Sequence, residues 1–199
     1  SSEEYAPQSR AINENDPVLA SNPYGVSKVA QENFAAIYRK RYSLNIVTTR
    51  SFNHTGIGQT ETFAIPSFCR QVAEIEKSGK PGKISVGNLS ACRDISDVHD
   101  VVHVYRMLLE SDMKETLFNV GSGVAYSMQA ILNFVVSLSS QNIEIIQDIK
   151  KVRPIEVPYI CCDNSRVREF WKGTDIMETI KNIYASSVLC YHKRKNKRM

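Results

Sequence analysis

The 199 residues contain only nine glycines, and nowhere do these fall as Gly-x-Gly-x-x-Gly or Gly-x-x-Gly-x-x-Gly. A strand-to-helix turn that wraps a dinucleotide pyrophosphate needs that spacing, so the sequence holds no such turn. Long apolar runs are also missing: no stretch approaches the roughly 18 residues of a membrane span. The polar opening Ser1-Ser2-Glu3-Glu4 is not a signal-peptide pattern, and the expectation is a cytoplasmic protein that neither spans nor binds a membrane. Five cysteines are scattered without Cys-x-x-Cys spacing, which speaks against a disulfide framework or a zinc site and for reduced thiols. His54, His99 and His103 are not spaced with carboxylates as a metal set, so no metal is expected. The net charge of +4 has a local origin, because Lys193, Arg194, Lys195, Lys197 and Arg198 crowd the last seven residues. Without them 20 basic residues face 21 acidic ones, a balance of −1 that gives no electrostatic case for a nucleic-acid partner.

What is present is a chain with 42% hydrophobic and 23% charged residues, enough for a real core. Residues 1–23 are broken by Pro7, Pro17 and Pro23 and read as a surface connection. Val26, Ala30, Phe34, Ile37 and Tyr38 recur at helical spacing in residues 24–41. Strands are expected at residues 44–50, 83–87, 116–120 and 143–146, and helices at 62–78, from an N-cap at Ser96 to 110, at 127–140, 164–171 and 175–185. This alternation argues for an α/β fold with parallel strands, because parallel pairing needs crossovers of such length. No repeat or domain linker is evident, so residues 1–187 read as one region, followed by a basic, disordered tail at 188–199.

Asn22-Pro23 precedes Tyr24-Gly-Val-Ser-Lys28, which puts a phenol and an ammonium one helical turn apart on one face. An ammonium beside a phenol stabilises the phenolate left after proton donation. Alone, this pattern is also that of an ordinary surface pair. It does not stand alone. Ser1-Ser-Glu-Glu-Tyr5, Ser21 to Lys28, Thr49-Arg-Ser-Phe-Asn-His54 with Gly58-Gln59, Val86-Gly-Asn-Leu89 with Arg93-Asp94, Asn119-Val-Gly-Ser-Gly123 and Val152-Arg-Pro-Ile-Glu-Val-Pro158 follow one another in order.

Together these segments resemble the extended short-chain dehydrogenase/reductase superfamily and, within it, nucleotide-sugar enzymes: GDP-6-deoxy-mannose reductases first, GDP-mannose 4,6-dehydratases next. The resemblance implies an extended Rossmann-like α/β fold of which only the C-terminal part is present, the N-terminal glycine-rich half being absent, as in a truncated or frameshifted gene. It implies that Ser1 hydrogen-bonds the reacting oxygen, with an ordinary hydroxyl as the alternative, and that Tyr24 is the general acid/base. Lys28 would hold the nicotinamide ribose, and Glu3 matches the base that dehydratases use at sugar C5. Arg50 and Asn53 fall where cofactor and sugar diphosphate approach, although Arg50 could equally pair with a core carboxylate. Arg93 and Arg153 would bind diphosphate through their forked donors, and Glu156 would accept the nucleotide ribose hydroxyls. For Arg153 and Glu156 the alternative is a solvated ion pair, and both reach one ligand only if the chain turns near Pro154.

The implied activity is reduction of the C4 ketone of a GDP-4-keto-6-deoxy-hexose with NADP or NAD, in a complete enzyme that would be a homodimer. The alternatives are a GDP-mannose 4,6-dehydratase fragment and an inactive remnant that binds a nucleotide or a protein. Lacking the pyrophosphate site, the chain alone is expected to be inactive. Ala6 departs from a family glycine, which is harmless only where φ is negative.

Overall fold

A computed structural model describes residues 1–151 and 157–195, with side chains to residue 189. The described chain divides into two compact units, each built from separated stretches of sequence.

The first unit comprises Ser1–His54, Cys92–Ala125 and Tyr159–Gly173. It holds helix α1 (Pro23–Tyr42), strand β1 (Thr48–Ser51), the start of β2 (Asn53–Thr55), β4 (Cys92–Asp97), α3 (Val98–Glu110), β5 (Leu117–Val120) and β8 (Tyr159–Ile160). β1 runs parallel to β5 with Thr48 opposite Leu117 and Ser51 opposite Val120. β4 runs parallel to β8, Cys92 opposite Tyr159. The core lies where Val101, Val104 and Leu108 of α3 meet Phe118 and Val120 of β5 and Val167. Those α3 positions follow the i, i+3, i+7 spacing that puts one stripe of a helix inward. α1 behaves otherwise. Val26, Phe34, Ile37, Tyr38 and Tyr42 are all exposed, whereas Lys28, Glu32 and Arg39 are partly covered. The helical period read from the sequence is present, but in this unit its apolar stripe faces outward.

The second unit comprises Thr55–Ala91, Tyr126–Pro158 and the residues from Thr174 on. In it α2 (Ala64–Ser78), α4 (Met128–Ser137) and α5 (Ile176–Lys195) accompany β3 (Gly82–Val86) and β7 (Ile143–Gln147), which pair in parallel. Phe68, Cys69 and Val72, Ile131, Leu132 and Val135, and Ile180 supply buried side chains from the three helices. Gln71 copies a strand neighbour: its side chain accepts from Ser85 N at 2.8 Å and donates to Ser85 O at 3.2 Å. A short strand β6 (Ala125–Ser127) straddles the boundary in sequence.

All three strand pairs described by register are parallel, as the alternation of elements demands. Several boundaries differ from expectation. The strand after α1 begins at Thr48 rather than residue 44, and residues 165–170 form a 3₁₀ helix. Ser96 lies inside β4, and Asp97 caps α3 instead by accepting from His99 N at 2.7 Å. α5 continues through residues 188–195, where the sequence suggested a disordered tail; residues 196–199 lie outside the described part. Among the described residues no helix is long and apolar enough to cross a membrane. Cys69, Cys92, Cys161 and Cys162 are thiols, and burial pushes Cys69 up to about 12. Ala6 is not in the left-handed region; among the described non-glycine residues only Ser43 has positive φ.

Candidate active site

Every described residue assigned to chemistry from the sequence falls in the first unit. Its floor is the turn Ser2–Glu4. Ser1 caps that turn, its Oγ accepting from Glu3 N at 3.2 Å, while Glu4 reaches back to the Ser1 amino group at 2.5 Å.

α1 starts where it does because Asn22 accepts from Gly25 N at 2.8 Å and Pro23 occupies the first helical position, where a missing N–H costs nothing. The first turn sits directly on the Ser1–Glu4 segment. A Cβ on Gly25 would come 2.3 Å from the Glu3 carbonyl oxygen, so only glycine allows this approach. Tyr24 is 55% exposed, which leaves its phenol open to a ligand. Lys28 places Nζ 5.6 Å from the Tyr24 ring centroid and donates to Gln31 at 3.1 Å. The phenol–ammonium pair is thus real, and Ser1 and Glu3 stand at the same end of α1.

Arg50 lies elsewhere in chemical terms. It is 4% exposed, and its guanidinium forks onto Glu32 at 2.8 and 2.6 Å. It also lies 3.8 Å from Glu4 and 4.7 Å from the Tyr5 ring centroid. Burial would lower its pKa, but the bonds to Glu32 and Tyr5 outweigh that, and the net shift is upward. Arg50 is thus paired with carboxylates, the second of the two possibilities the sequence left open. Behind it Tyr5 donates to Asn119 at 2.6 Å, Asn119 donates to Ile12 O at 2.9 Å, and Glu14 accepts from Asn119 N at 2.7 Å.

Asn53 is exposed on β2. Arg93 is partly buried on β4 and donates to Cys92 O at 2.8 Å. Beside it Asp94 is fully buried and accepts from Ser122 N and Oγ, Gly123 N and Cys162 N at 2.5–3.0 Å. Burial raises the Asp94 carboxyl, and these four donors pull against that shift. Gly121 is required here, since a Cβ would meet Cys162 Cβ at 2.7 Å. Arg153 and Glu156 lie outside the described residues. Sequence reading missed the parts played by Asn22, Glu32 and Asp94. Asn22 had a visible signal, an N-cap residue before proline, whereas the others act through contacts distant in sequence.

The family model described as GDP-mannose 4,6 dehydratase matches residues 1–181. A GDP-6-deoxy-D-mannose reductase of Pseudomonas aeruginosa is 29% identical over 153 residues, 76% of this chain and 50% of that one. A GDP-mannose 4,6-dehydratase of Vibrio cholerae is 29% identical over 121 residues, 61% of this chain and 32% of that one. The solved structure of RMD from P. aeruginosa complexed with NADPH superposes with a TM-score of 0.87 at 26% identity, covering 94% of this chain and 64% of that one. The chain thus spans about half the length, or less, of these curated relatives.

Proposed function

Because the chain belongs to the GDP-mannose 4,6 dehydratase family, whose Rossmann-like α/β fold it shares, we propose that it forms the substrate-binding and proton-donor part of an NAD(P)-dependent nucleotide-sugar reductase acting on the C4 ketone of a GDP-4-keto-6-deoxy-hexose. The observation that carries this reading is the exposed Tyr24 phenol beside Lys28 on the first turns of α1, against the segment that bears Ser1 and Glu3. Tyr24 would give its proton to the C4 oxygen, and Lys28 would stabilise the phenolate left behind. The Ser1 hydroxyl would donate a hydrogen bond to the same oxygen. Arg93, with Arg153 and Glu156, would hold the GDP portion and Asn53 the sugar side.

Exposed Tyr24 and half-buried Lys28 fit the nicotinamide-ribose end of a cofactor, whereas Arg50 is taken by Glu32 and no glycine-rich turn occurs in the 199 residues. The chemistry such a cofactor supplies is hydride donation.

A test is to supply the glycine-rich N-terminal part of a relative and assay NADPH oxidation with a GDP-4-keto-6-deoxy-hexose. Tyr24→Phe should lower turnover by about 10² to 10⁴ while thermal unfolding stays unchanged. Turnover within a few-fold of the parent would remove Tyr24 from the chemistry. The alternative is a dehydratase in which Glu3 would serve as the base at sugar C5; a glutamate at this position fits both patterns and does not separate them. Conversion of GDP-mannose without net consumption of cofactor would select it.

A further inference from the structure

Asn22 makes two hydrogen bonds with opposite ends of one amide. Its Oδ1 accepts from Gly25 N at 2.8 Å, closing the N-terminus of α1, and its Nδ2 donates to Glu3 Oε2 at 2.8 Å. The donor and acceptor needs fix the orientation of the amide, since a carboxylate only accepts and a backbone N–H only donates. Asp at this position would cap α1 but repel Glu3. Ser would cap equally well, yet it lacks the NH₂ arm that reaches Glu3. The close seat of Gly25 on the Glu3 carbonyl brings the two segments near enough for the bond. Tyr24 stands two residues after Asn22, in the first turn of that helix. A single side chain therefore ties together two groups that are 21 residues apart in sequence and share one helix end.

We propose that Asn22 is a positioning residue, whose amide locks the Glu3 carboxylate to the N-terminus of α1 and so fixes Glu3 relative to Tyr24 on the sugar side of the site. This rests on the proposed function for its purpose, and on the two bonds for its geometry. The same bond holds the Ser1–Glu3 segment, which bears the Ser1 hydroxyl, against the helix end that bears Tyr24; displacement of a reacting group by about 1 Å costs up to about 10² in rate, so release of Glu3 should slow turnover without loosening substrate.

The test uses the 199-residue chain with ¹³C-labelled glutamate, and the same chain in the complemented enzyme. In the wild type the two Glu3 Hγ signals should be distinct and show a nuclear Overhauser contact to the Asn22 amide protons. In Asn22→Ser the melting temperature should hold within about 2 °C, because the cap survives. The Hγ signals should merge and the contact vanish. In the complemented enzyme kcat should fall about tenfold to a hundredfold at unchanged KM. Averaged Glu3 signals in the wild type, a fixed Glu3 in Asn22→Ser, or unlocking of Glu3 with unchanged kcat would each overturn the proposal. A Tyr24→Phe enzyme that keeps full activity, with the Asn22→Ser effects present, would instead sink the functional reading and leave the lock standing.

Discussion

Tyr5 shows how strongly single residues in the first unit depend on burial. Its phenol is pushed up to about 12, first by desolvation, with Arg50 and Asn119 opposing. Between pH 10 and 12 the unfolded chain has lost this proton and the folded chain has kept it, so raising the pH favours unfolding. The stability from this group is complete below pH 10 and gone above pH 12, a loss of about 3 kcal/mol at most. Tyr5→Phe removes that slope. At neutral pH it should cost about 1–3 kcal/mol, because Asn119 Oδ1 loses its buried donor. Urea unfolding of both proteins from pH 8 to 12 should therefore show the gap between them shrinking as pH rises. Parallel curves would show that Tyr5 does not titrate as its surroundings require. The Arg50–Glu32 pair sits beside this tyrosine, and the sequence did not single it out because its carboxylate lies 18 residues away, on α1, whereas Arg50 lies on β1.

Among the elements, α1 was the most legible and the most misleading. The sequence predicts residues 24–41 and the helix spans Pro23–Tyr42, because cap, proline and period all act locally. Periodicity says only which residues share a stripe, not what that stripe faces, and here Val26, Phe34 and Ile37 lie outward. β4 went unread for a different reason. Arg93, Asp94 and Asp97 break any apolar alternation, and Asp94 is tolerable inside only because four donors from distant segments meet it. Ser1 and Glu3 sit in one short motif and Tyr24 and Lys28 in another, so both motifs were legible, and the seat of Gly25 brings them together. That seat gives a prediction at the scale of the helix. Alanine is favoured over glycine by about 1 kcal/mol within a helix. A Cβ 2.3 Å from the Glu3 carbonyl forces the backbone apart, and overpacking of this kind costs about 1–3 kcal/mol. Gly25→Ala should thus lower the urea midpoint, and a rise would mean that α1 can back away from Glu3 freely.

For the whole molecule, the sequence showed no linker because the two units do not follow one another along the chain; they alternate three times each. Under the proposed function Tyr24 and Lys28 would offer a cofactor only a seat for its nicotinamide ribose, so the 199-residue polypeptide by itself should show no saturable NADPH binding in a fluorescence titration and no turnover. Micromolar affinity would mean that the pyrophosphate is held by residues outside the glycine-rich logic. The Asp94 carboxylate carries a consequence of another kind. Its donors arrive 28 residues later, from Ser122, and 68 residues later, from Cys162. On the ribosome, Asp94 must wait as a solvated charge until Cys162 has cleared the exit tunnel, and by then most of the second unit has emerged too. The first unit therefore cannot close around Asp94 before that point, and its apolar segments spend the interval exposed and in need of protection from aggregation.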